Sequence, residues 1–316
     1  MAIFLTDQHV NELLPMNVAI EKLEQGFQAY GSGLAVNIPR QRPQVNGTSI
    51  TMMIAVMGNT GFSGFKTMGA GKPLVSLYGG KPSTLLAIME ASMLGQIRTG
   101  AATGLATKYM AKTDASSIGI VGTGFQAKTQ LEAVCSVRNI KSIKAYSRTK
   151  EKLEKFCSDM SNALGLSIEP AQSAQAAVQD TDICIAITNV RTLEPVIKGE
   201  WLKAGTHVNA AGANSLDRRE VDDQLISLCS LIVADDIAQA KIECSDLVIP
   251  VANGILKWDS VIELGQLIAN TGSNRLYDPE SFTLFESQGI ALEDIAVAAH
   301  VFESAISKGI GEYLPF

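Results

Sequence analysis

The residues that decide the fold are Ser117-Ile118-Gly119-Ile120-Val121-Gly122-Thr123-Gly124-Phe125-Gln126-Ala127. Ser117–Val121 is a short apolar run that predicts a buried strand, and Phe125–Val137 predicts a helix. Between them the first glycine permits a tight turn, the second lets the backbone approach a pyrophosphate, and the small third residue allows close packing. Free N–H groups at the helix start favour phosphate. The sequence therefore predicts a dinucleotide site, the alternative being a turn without a ligand, at Gly122, Thr123, Gly124, Phe125, Gln126 and Ala127.

Downstream of this turn, short apolar runs alternate with helical periodicity. In the helix after the second strand, Leu153, Phe156, Cys157 and Met160 follow the spacing of one helical face. Alternating strands and helices predict an α/β fold, a Rossmann-type doubly wound parallel sheet covered on both faces. Its further strands are expected at Ser142–Ser147, Ser167–Pro170, Asp182–Thr188, Thr206–Ala211 and Leu231–Ala234.

The end of the second strand indicates which dinucleotide is bound. A site for NAD usually has an acidic residue there, whereas this chain has Tyr146-Ser147-Arg148-Thr149-Lys150. Ser147, Arg148 and Thr149 can hold a 2′-phosphate, so we expect NADP(H) to be preferred, with NAD(H) possible. The alternative is an exposed basic pair at the start of a helix. Thr188, at the end of a later strand, is also assigned to the cofactor site.

Upstream of the turn the pattern differs. Helices are expected after Thr6 and Pro15, followed by strands and then by a helix over Ser92–Ala111 with a face of very small residues. A last helix is expected at Leu292–Lys308. Together they predict a second, α+β domain. Its strands are expected at Ser49–Val56, Gly64–Met68, Leu74–Tyr78 and Leu85–Met89.

Composition excludes several classes of protein. A net charge of −6 argues against a nucleic-acid-binding surface. We expect no membrane span and no signal peptide. The five scattered cysteines predict a reducing, cytoplasmic location, and the three distant histidines predict no metal site.

Two cations of the α+β domain stand out from the others as candidate substrate groups. Lys66 lies inside an apolar, strand-like run, so it is either on a sheet edge or directed into a cleft, where a lowered pKa would suit proton transfer. Arg98 lies beside the small-residue helix face and can bind a carboxylate bidentately.

Several segments together resemble the ornithine cyclodeaminase/mu-crystallin family. They are Arg98–Gly104 with the glycine turn, Phe65–Thr67, Ser147–Thr149, Gly212–Asn214 with Arg219–Asp222, and the tail from Asp294 to Gly309. The resemblance implies a homodimer that acts on small α-amino or α-imino acids. It also implies a substrate-binding and dimerisation domain at 1–112 plus 292–316, around a dinucleotide domain at 113–291. By motif, Arg42, Lys66 and Arg98 would line the substrate site, although Arg40 is close to Arg42.

One position departs from the family pattern. Asn214 stands where the cyclodeaminases have a catalytic aspartate, and an amide cannot take a proton from a substrate amine. We therefore expect an NAD(P)H-dependent reductase of a small α-imino acid, with Lys66 and Asn214 as catalytic residues. The alternatives are an ornithine cyclodeaminase that uses NAD and a non-catalytic, NADPH-dependent ligand-binding protein.

Overall fold

The computed structural model describes residues 1–69, 71–270 and 280–315. The helices begin close to the expected residues, and the Thr6 side chain caps the first one. They are α1 Asp7–Leu13, α2 Met16–Gly31, α3 Ser92–Met110, α4 Ala127–Val137, α5 Lys150–Leu164, α6 Ala174–Val178, α7 Asp223–Leu228, α8 Ile237–Glu243, α9 Ser245–Ala252, α10 Leu264–Ala269 and α11 Ala291–Lys308.

The strands form two large sheets and a two-stranded ribbon. They are β1 Ile3–Leu5, β2 Ala35–Gln41, β3 Gln44–Val45, β4 Thr48–Ser49, β5 Thr51–Met57, β6 Phe62–Met68, β7 Leu74–Gly79, β8 Thr84–Glu90, β9 Ser117–Val121, β10 Ser142–Tyr146, β11 Ile168–Pro170, β12 Ile183–Ala186, β13 His207–Ala210, β14 Cys229–Ala234, β15 Val261–Glu263, β16 Phe282–Glu286 and β17 Glu312–Tyr313.

The chain divides into two compact units. Unit 1 comprises Met1–Ala102, Gly265–Asn270 and the described residues 289–315. Unit 2 comprises Thr103–Leu264 and the described residues 280–288. The division cuts α3, which the expected ranges had kept whole in the first domain. The expected domain boundaries stay a prediction, and residues 70, 271–279 and 316 of those ranges lie outside the described part of the chain.

Unit 1 is built on a sheet with the order β17-β1-β8-β7-β6-β5-β2, antiparallel except between β1 and β8. The helix α11 packs on the middle strands and on α2. A Cβ at Gly64 would lie 2.7 Å from Ile295 Cδ1, so α11 approaches β6 as closely as a glycine permits. The strand β6 is therefore central and covered, which makes its inward side chains buried.

Unit 2 contains a fully parallel sheet with the order β11-β10-β9-β12-β13-β16-β14-β15. From β9 the chain proceeds first to β10 on one side and later to β12 on the other. That reversal is the switch point at which doubly wound folds bind ligands beyond the carboxyl ends of the strands. Apolar clusters that include residues of α4 and α5, and of α7 and α8, cover the sheet. The expected α/β, Rossmann-type fold is confirmed.

The sequence patterns missed some strands. They gave no signal for β2, β15 or β16, although β16 lies between β13 and β14 in the sheet. β16 carries polar Thr283 and Glu286, both buried, so its pattern is not continuously apolar. β2 contains Pro39 and carries exposed Val36 and Ile38, which obscures its period-two signal.

Candidate cofactor and substrate sites

The glycine turn follows β9 at the switch point of the unit 2 sheet. Gly122 has φ +110°, which favours glycine, and a Cβ there would overlap the carbonyl oxygen of Ile187. A Cβ at Gly124 would meet nothing within 4 Å, so open space lies beside that residue. Ala127, the first residue of α4, is fully buried in the core. The three small residues thus have the separate roles that a pyrophosphate turn requires.

The start of α4 offers backbone donors. Gln126 precedes the helix without a side-chain hydrogen bond to the first turn, so its amides are not satisfied by a capping side chain. Thr123, Gly124 and Phe125 form the loop before it, with Phe125 57% exposed. This geometry suits the binding of an anion at a helix N-terminus.

The segment expected at the ribose lies next to the turn. The amide of Gly122 donates to the carbonyl of Tyr146, which ends β10, at 2.9 Å. Ser147 is half-buried, whereas Arg148 and Thr149 are exposed before α5. The structure therefore places these polar side chains at the same edge of the sheet as the glycine turn, where they can meet the adenosine half of a dinucleotide.

Two further loops at this edge are joined by a carboxylate. The backbone and hydroxyl of Thr188 donate to Glu220 Oε1 at 2.7 and 3.0 Å, and the amide of Gly212 donates to Oε2 at 2.6 Å. Thr188 follows β12 and Gly212 follows β13, which are neighbouring strands. Asn214, two residues beyond Gly212, is half-buried. Sequence reasoning assigned Thr188 and Asn214 to the site but did not assign Glu220, and these assignments stay predictions.

The candidate substrate residues of unit 1 meet acids on α11. Lys66 Nζ lies 2.9 Å from Asp294 Oδ1, and Arg98 Nε donates to the same oxygen at 3.1 Å. Arg98 Nη1 donates to Glu293 Oε2 at 2.6 Å. Lys66 is 3% exposed and Arg98 7%, and both acids are fully buried. The structure thus brings Lys66 and Arg98 together on one carboxylate, in a buried and strongly charged cluster.

The charges of this cluster shift one another's titration. Burial lowers the pKa of Lys66, and nearby Arg98 and Arg40 lower it further, although Asp294 opposes them. Burial raises the pKa of Asp294, but Arg98 and Lys66 outweigh burial and hold it below its ordinary value. Burial raises the pKa of Glu293 against the pull of Arg98. Asp294 is therefore ionised, and Lys66 is a stronger acid than an exposed lysine.

Arg40 belongs to this buried group, whereas Arg42 does not. Arg40 is 6% exposed and its Nη2 donates to the carbonyl of Gly289 at 2.7 Å, while Arg42 is exposed. Between Ile38 and Gln41 the register with β5 shifts by one residue. The bulge turns Arg40 to the inward face, as bulges do beside many binding sites. Arg42, which the family motif assigns to the substrate site, thus lies at the surface. Burial favours Arg40 as the arginine of that site.

Two glycines make room for these cations. A Cβ at Gly95 would lie 2.8 Å from Lys66 Nζ, and one at Gly289 would overlap the Arg98 guanidinium. Neither glycine was identified from the sequence. Glu293 and Asp294 were also missed as site residues, although adjacent acids in an otherwise apolar helix are a usable signal, because buried carboxylates require partners.

Comparison with known proteins shows the family of this chain. A model of the ornithine cyclodeaminase/mu-crystallin family matches residues 1–309. The chain belongs to the ornithine cyclodeaminase/mu-crystallin family. The expected resemblance is confirmed. A Delta(1)-pyrroline-2-carboxylate reductase of Bacillus cereus is 36% identical to this family member over 254 residues, which cover 80% of this chain and 76% of the relative.

Two solved structures resemble this family member over nearly their whole length. One is Thermococcus litoralis Delta(1)-pyrroline-2-carboxylate reductase in complex with NADH and L-proline, at 32% identity and a TM-score of 0.90, covering 99% of this chain and 100% of that chain. The other is an archaeal alanine dehydrogenase dimer with bound NAD, at 32% identity and a TM-score of 0.91, covering 100% and 99%.

One group of potential metal ligands lies elsewhere in the described part of this family member. Donor atoms of Cys244, Asp246 and Glu286 lie within 4.8 Å of one another. The thiol donates to Glu286 Oε2 at 3.4 Å, and burial raises the pKa of Asp246 to about 7 and that of Glu286 well above its ordinary value. Burial thus favours the protonated form of both carboxyls, and the expected absence of a metal stays a prediction.

The five cysteines of this family member are free thiols. Among the described residues, no helix is both long and apolar enough to cross a membrane. The cytoplasmic location expected from the sequence stays a prediction.

Proposed function

We propose that this family member is an NAD(P)H-dependent reductase of a small α-imino acid. The observation that carries the proposal is the buried group of Arg40, Lys66 and Arg98 with Glu293 and Asp294. Three basic and two acidic side chains are concentrated there, all of them buried. A guanidinium group can bind a carboxylate bidentately, so the two arginines can hold the carboxylate of a substrate. Relatives named as Delta(1)-pyrroline-2-carboxylate reductases support this class of substrate.

Each residue of the site has a separate role in the proposed reaction. The guanidinium groups of Arg98 and Arg40 hold the substrate carboxylate. The family motif assigns the imine nitrogen to Asn214 of unit 2, whose amide can orient it by hydrogen bonding. Lys66 donates the proton that the nitrogen takes up, because its lowered pKa makes it a ready acid. Asp294 holds the Lys66 ammonium and the Arg98 guanidinium in place. Arg42, the residue expected from the family motif, is the less favoured carboxylate ligand.

The cofactor would be held by unit 2. Backbone amides of Thr123 to Gln126 at the start of α4 bind the pyrophosphate, and the cofactor, when bound, supplies the hydride for C2 of the imine. We propose that NADP(H) is preferred, because Ser147, Arg148 and Thr149 offer donors and a positive charge for a 2′-phosphate. The two solved relatives are complexes with NADH and with NAD, so the preference is tested by comparing the two cofactors directly.

The proposal is tested by cofactor oxidation with a panel of imino acids. Delta(1)-pyrroline-2-carboxylate, piperideine-2-carboxylate, iminosuccinate, and pyruvate with ammonia are each supplied with NADPH and with NADH. We expect turnover of at least one cyclic imine, with the higher kcat/KM for NADPH. A preparation that binds the cofactor but turns over none of them would refute the reductase. Release of proline and ammonia from ornithine would assign cyclodeamination instead.

We also propose that the protein is a homodimer formed through unit 1. The strands β2 and β5 carry an exposed apolar patch of Val36, Ile38 and Val56, each more than 40% exposed, with Val36 and Val56 paired in register. Contiguous apolar surface of this kind marks interaction sites, and a two-fold axis would let the patch meet its own copy. The dimeric archaeal relative supports the assembly.

Substitution Val36→Glu tests the dimer. Burying a carboxylate in an apolar interface is unfavourable, so we expect the mass in solution to fall from about twice the 33.6 kDa of one chain to that of one chain. Ile242→Glu, at a position 50% exposed on α8, is the matched control and should keep the mass of the native protein. Light scattering after size-exclusion chromatography distinguishes the two. A native protein that is monomeric, or a Val36→Glu variant that stays dimeric, contradicts the proposed surface.

A further inference from the structure

Glu220 lies at the point where two loops of the dinucleotide unit meet. Its Oε1 accepts from the amide and the hydroxyl of Thr188, and its Oε2 accepts from the amide of Gly212. The side chain is 1% exposed. One carboxylate therefore bridges the segments that follow two neighbouring strands, β12 and β13, at the carboxyl edge of the sheet.

The bridge leaves no spare room. A Cβ at Gly212 would overlap the carbonyl of Thr188 and the Glu220 carboxylate. The amides of Thr188 and Gly212 thus reach the carboxylate only because the backbones touch. The two loops are therefore in close backbone contact at this point.

The backbone of Glu220 is itself fixed on both sides. The amides of Glu220 and Val221 donate to Asp246 Oδ1 at 2.9 and 3.0 Å. The carbonyl of Glu220 accepts from the amides of Val196 and Ile197 at 3.1 and 2.9 Å. A side chain supported in this way can hold other groups to a fraction of an ångström.

From this arrangement we propose that Glu220 is a positioning residue of the reductase, which sets the Thr188 and Gly212 loops, and with them Asn214, for cofactor and substrate. The role rests on the proposed function. Ligands bind at the carboxyl edge of doubly wound sheets, and Asn214 lies two residues after Gly212. Glu220 acts through these loops and need not contact a reacting atom. A buried carboxylate is unfavourable without donors, and the loop amides and hydroxyl supply them.

The test compares Glu220→Gln with a matched carboxylate at the other edge of the same sheet. Asp182 Oδ2 accepts from the amides of Ser116 and Ser117 and from the Ser117 hydroxyl at 2.8 to 3.1 Å, at the start of β9. Asp182→Asn should therefore cost thermal stability without moving the loops at the carboxyl edge. Glutamine keeps the size of Glu220 but replaces one acceptor oxygen by a donor, which opposes either Thr188 or Gly212.

We expect Glu220→Gln to weaken NADPH binding, measured by cofactor fluorescence without substrate, by about tenfold, the effect of one lost charge-assisted hydrogen bond. We expect kcat/KM for the best imine to fall by about 10²-fold, as for a small misplacement near the chemistry. Asp182→Asn should leave both values within about twofold. Equal losses in the two variants at equal stability, or no change in Glu220→Gln, would overturn the positioning role.

Two further outcomes of the experiment also bear on the role of Glu220. If Glu220→Gln fails to fold, Glu220→Asp replaces it, because a shorter carboxylate keeps the charge and reaches one loop at a time; unchanged NADPH affinity in that variant overturns the role. If the native protein binds NADPH but turns over no imine, the reductase proposal fails while the binding comparison still decides the effect of Glu220 on the cofactor.

Discussion

At the scale of single residues, substitution of Lys66 tests whether the buried cluster is catalytic. Lys66 lies on strand β6, in the interior of the sheet, and its ammonium reaches Asp294 of α11. In Lys66→Met the aliphatic stem is retained and the proton donor is lost. We expect kcat/KM for the imine to fall by about 10² to 10⁴-fold, the usual contribution of a general acid, while NADPH affinity is unchanged.

The control for this prediction is Lys72→Met, since Lys72 is exposed and pairs with Glu90 in the same unit. Steady-state kinetics and cofactor fluorescence on both variants are sufficient. A Lys66→Met variant with native turnover would leave proton donation to another group and remove Lys66 from the mechanism.

The pair Arg40 and Arg42 offers a second residue-scale comparison. Arg40 is buried close enough to Lys66 to lower its pKa, and Arg42 is exposed two residues away. The same substitution at the two positions therefore compares a buried arginine with an exposed one. Arg40→Met should raise KM for the imino acid at least about tenfold, because a charge-assisted hydrogen bond to the carboxylate is lost. Arg42→Met should change KM by less than twofold. The reverse order would show that the family motif, and not burial, identifies the substrate arginine.

At the scale of elements, the β9–turn–α4 unit makes the sharpest prediction. Gly124 has ordinary φ and open space around its Cβ position, so Gly124→Ala costs the fold little. The added methyl would occupy space that the backbone keeps free for the pyrophosphate. We expect native thermal stability and at least about tenfold weaker binding of NADPH and NADH in titrations. Gly69→Ala, also with open space at Cβ, is the control and should bind both normally.

The helices and strands also differ in how well the sequence predicts them. The β9–turn–α4 unit and the buried face of α5 follow directly from local patterns, because period and glycine placement are local properties. The inward position of Arg40 does not, because a β-bulge changes which face follows and depends on the pairing with β5. Nor does the meeting of Glu220 with Thr188 and Gly212, which joins loops 32 and 8 residues away in the chain. The residues that sequence reasoning missed are thus those whose positions depend on contacts between distant segments of the chain.

At the scale of the whole molecule, stability depends on groups that are buried in one protonation state. His207 is 1% exposed, with Nδ1 2.9 Å from Thr283 Oγ1 and Nε2 3.2 Å from Asn209 Oδ1. Burial lowers the pKa of His207 to about 3. Between pH 6.5 and 3 the unfolded chain therefore binds a proton at this histidine that the folded protein does not bind. It follows that the free energy of unfolding decreases as the pH falls through this window.

Substitution His207→Gln removes that proton and keeps hydrogen-bonding atoms at the site. Near pH 7 the histidine is neutral in both states, so the variant is less stable than the native protein only by its altered packing. From pH 6 to pH 4 the difference should shrink by about 1.4 kcal/mol per pH unit, because the native protein alone loses stability at this position. Urea unfolding of both proteins at each pH gives the difference, in which buried acids of opposite shift, such as Asp246, cancel because they are common to both. A difference that stays constant from pH 7 to pH 4 would mean that His207 accepts its proton in the folded protein, and that the core of unit 2 opens to water around β13.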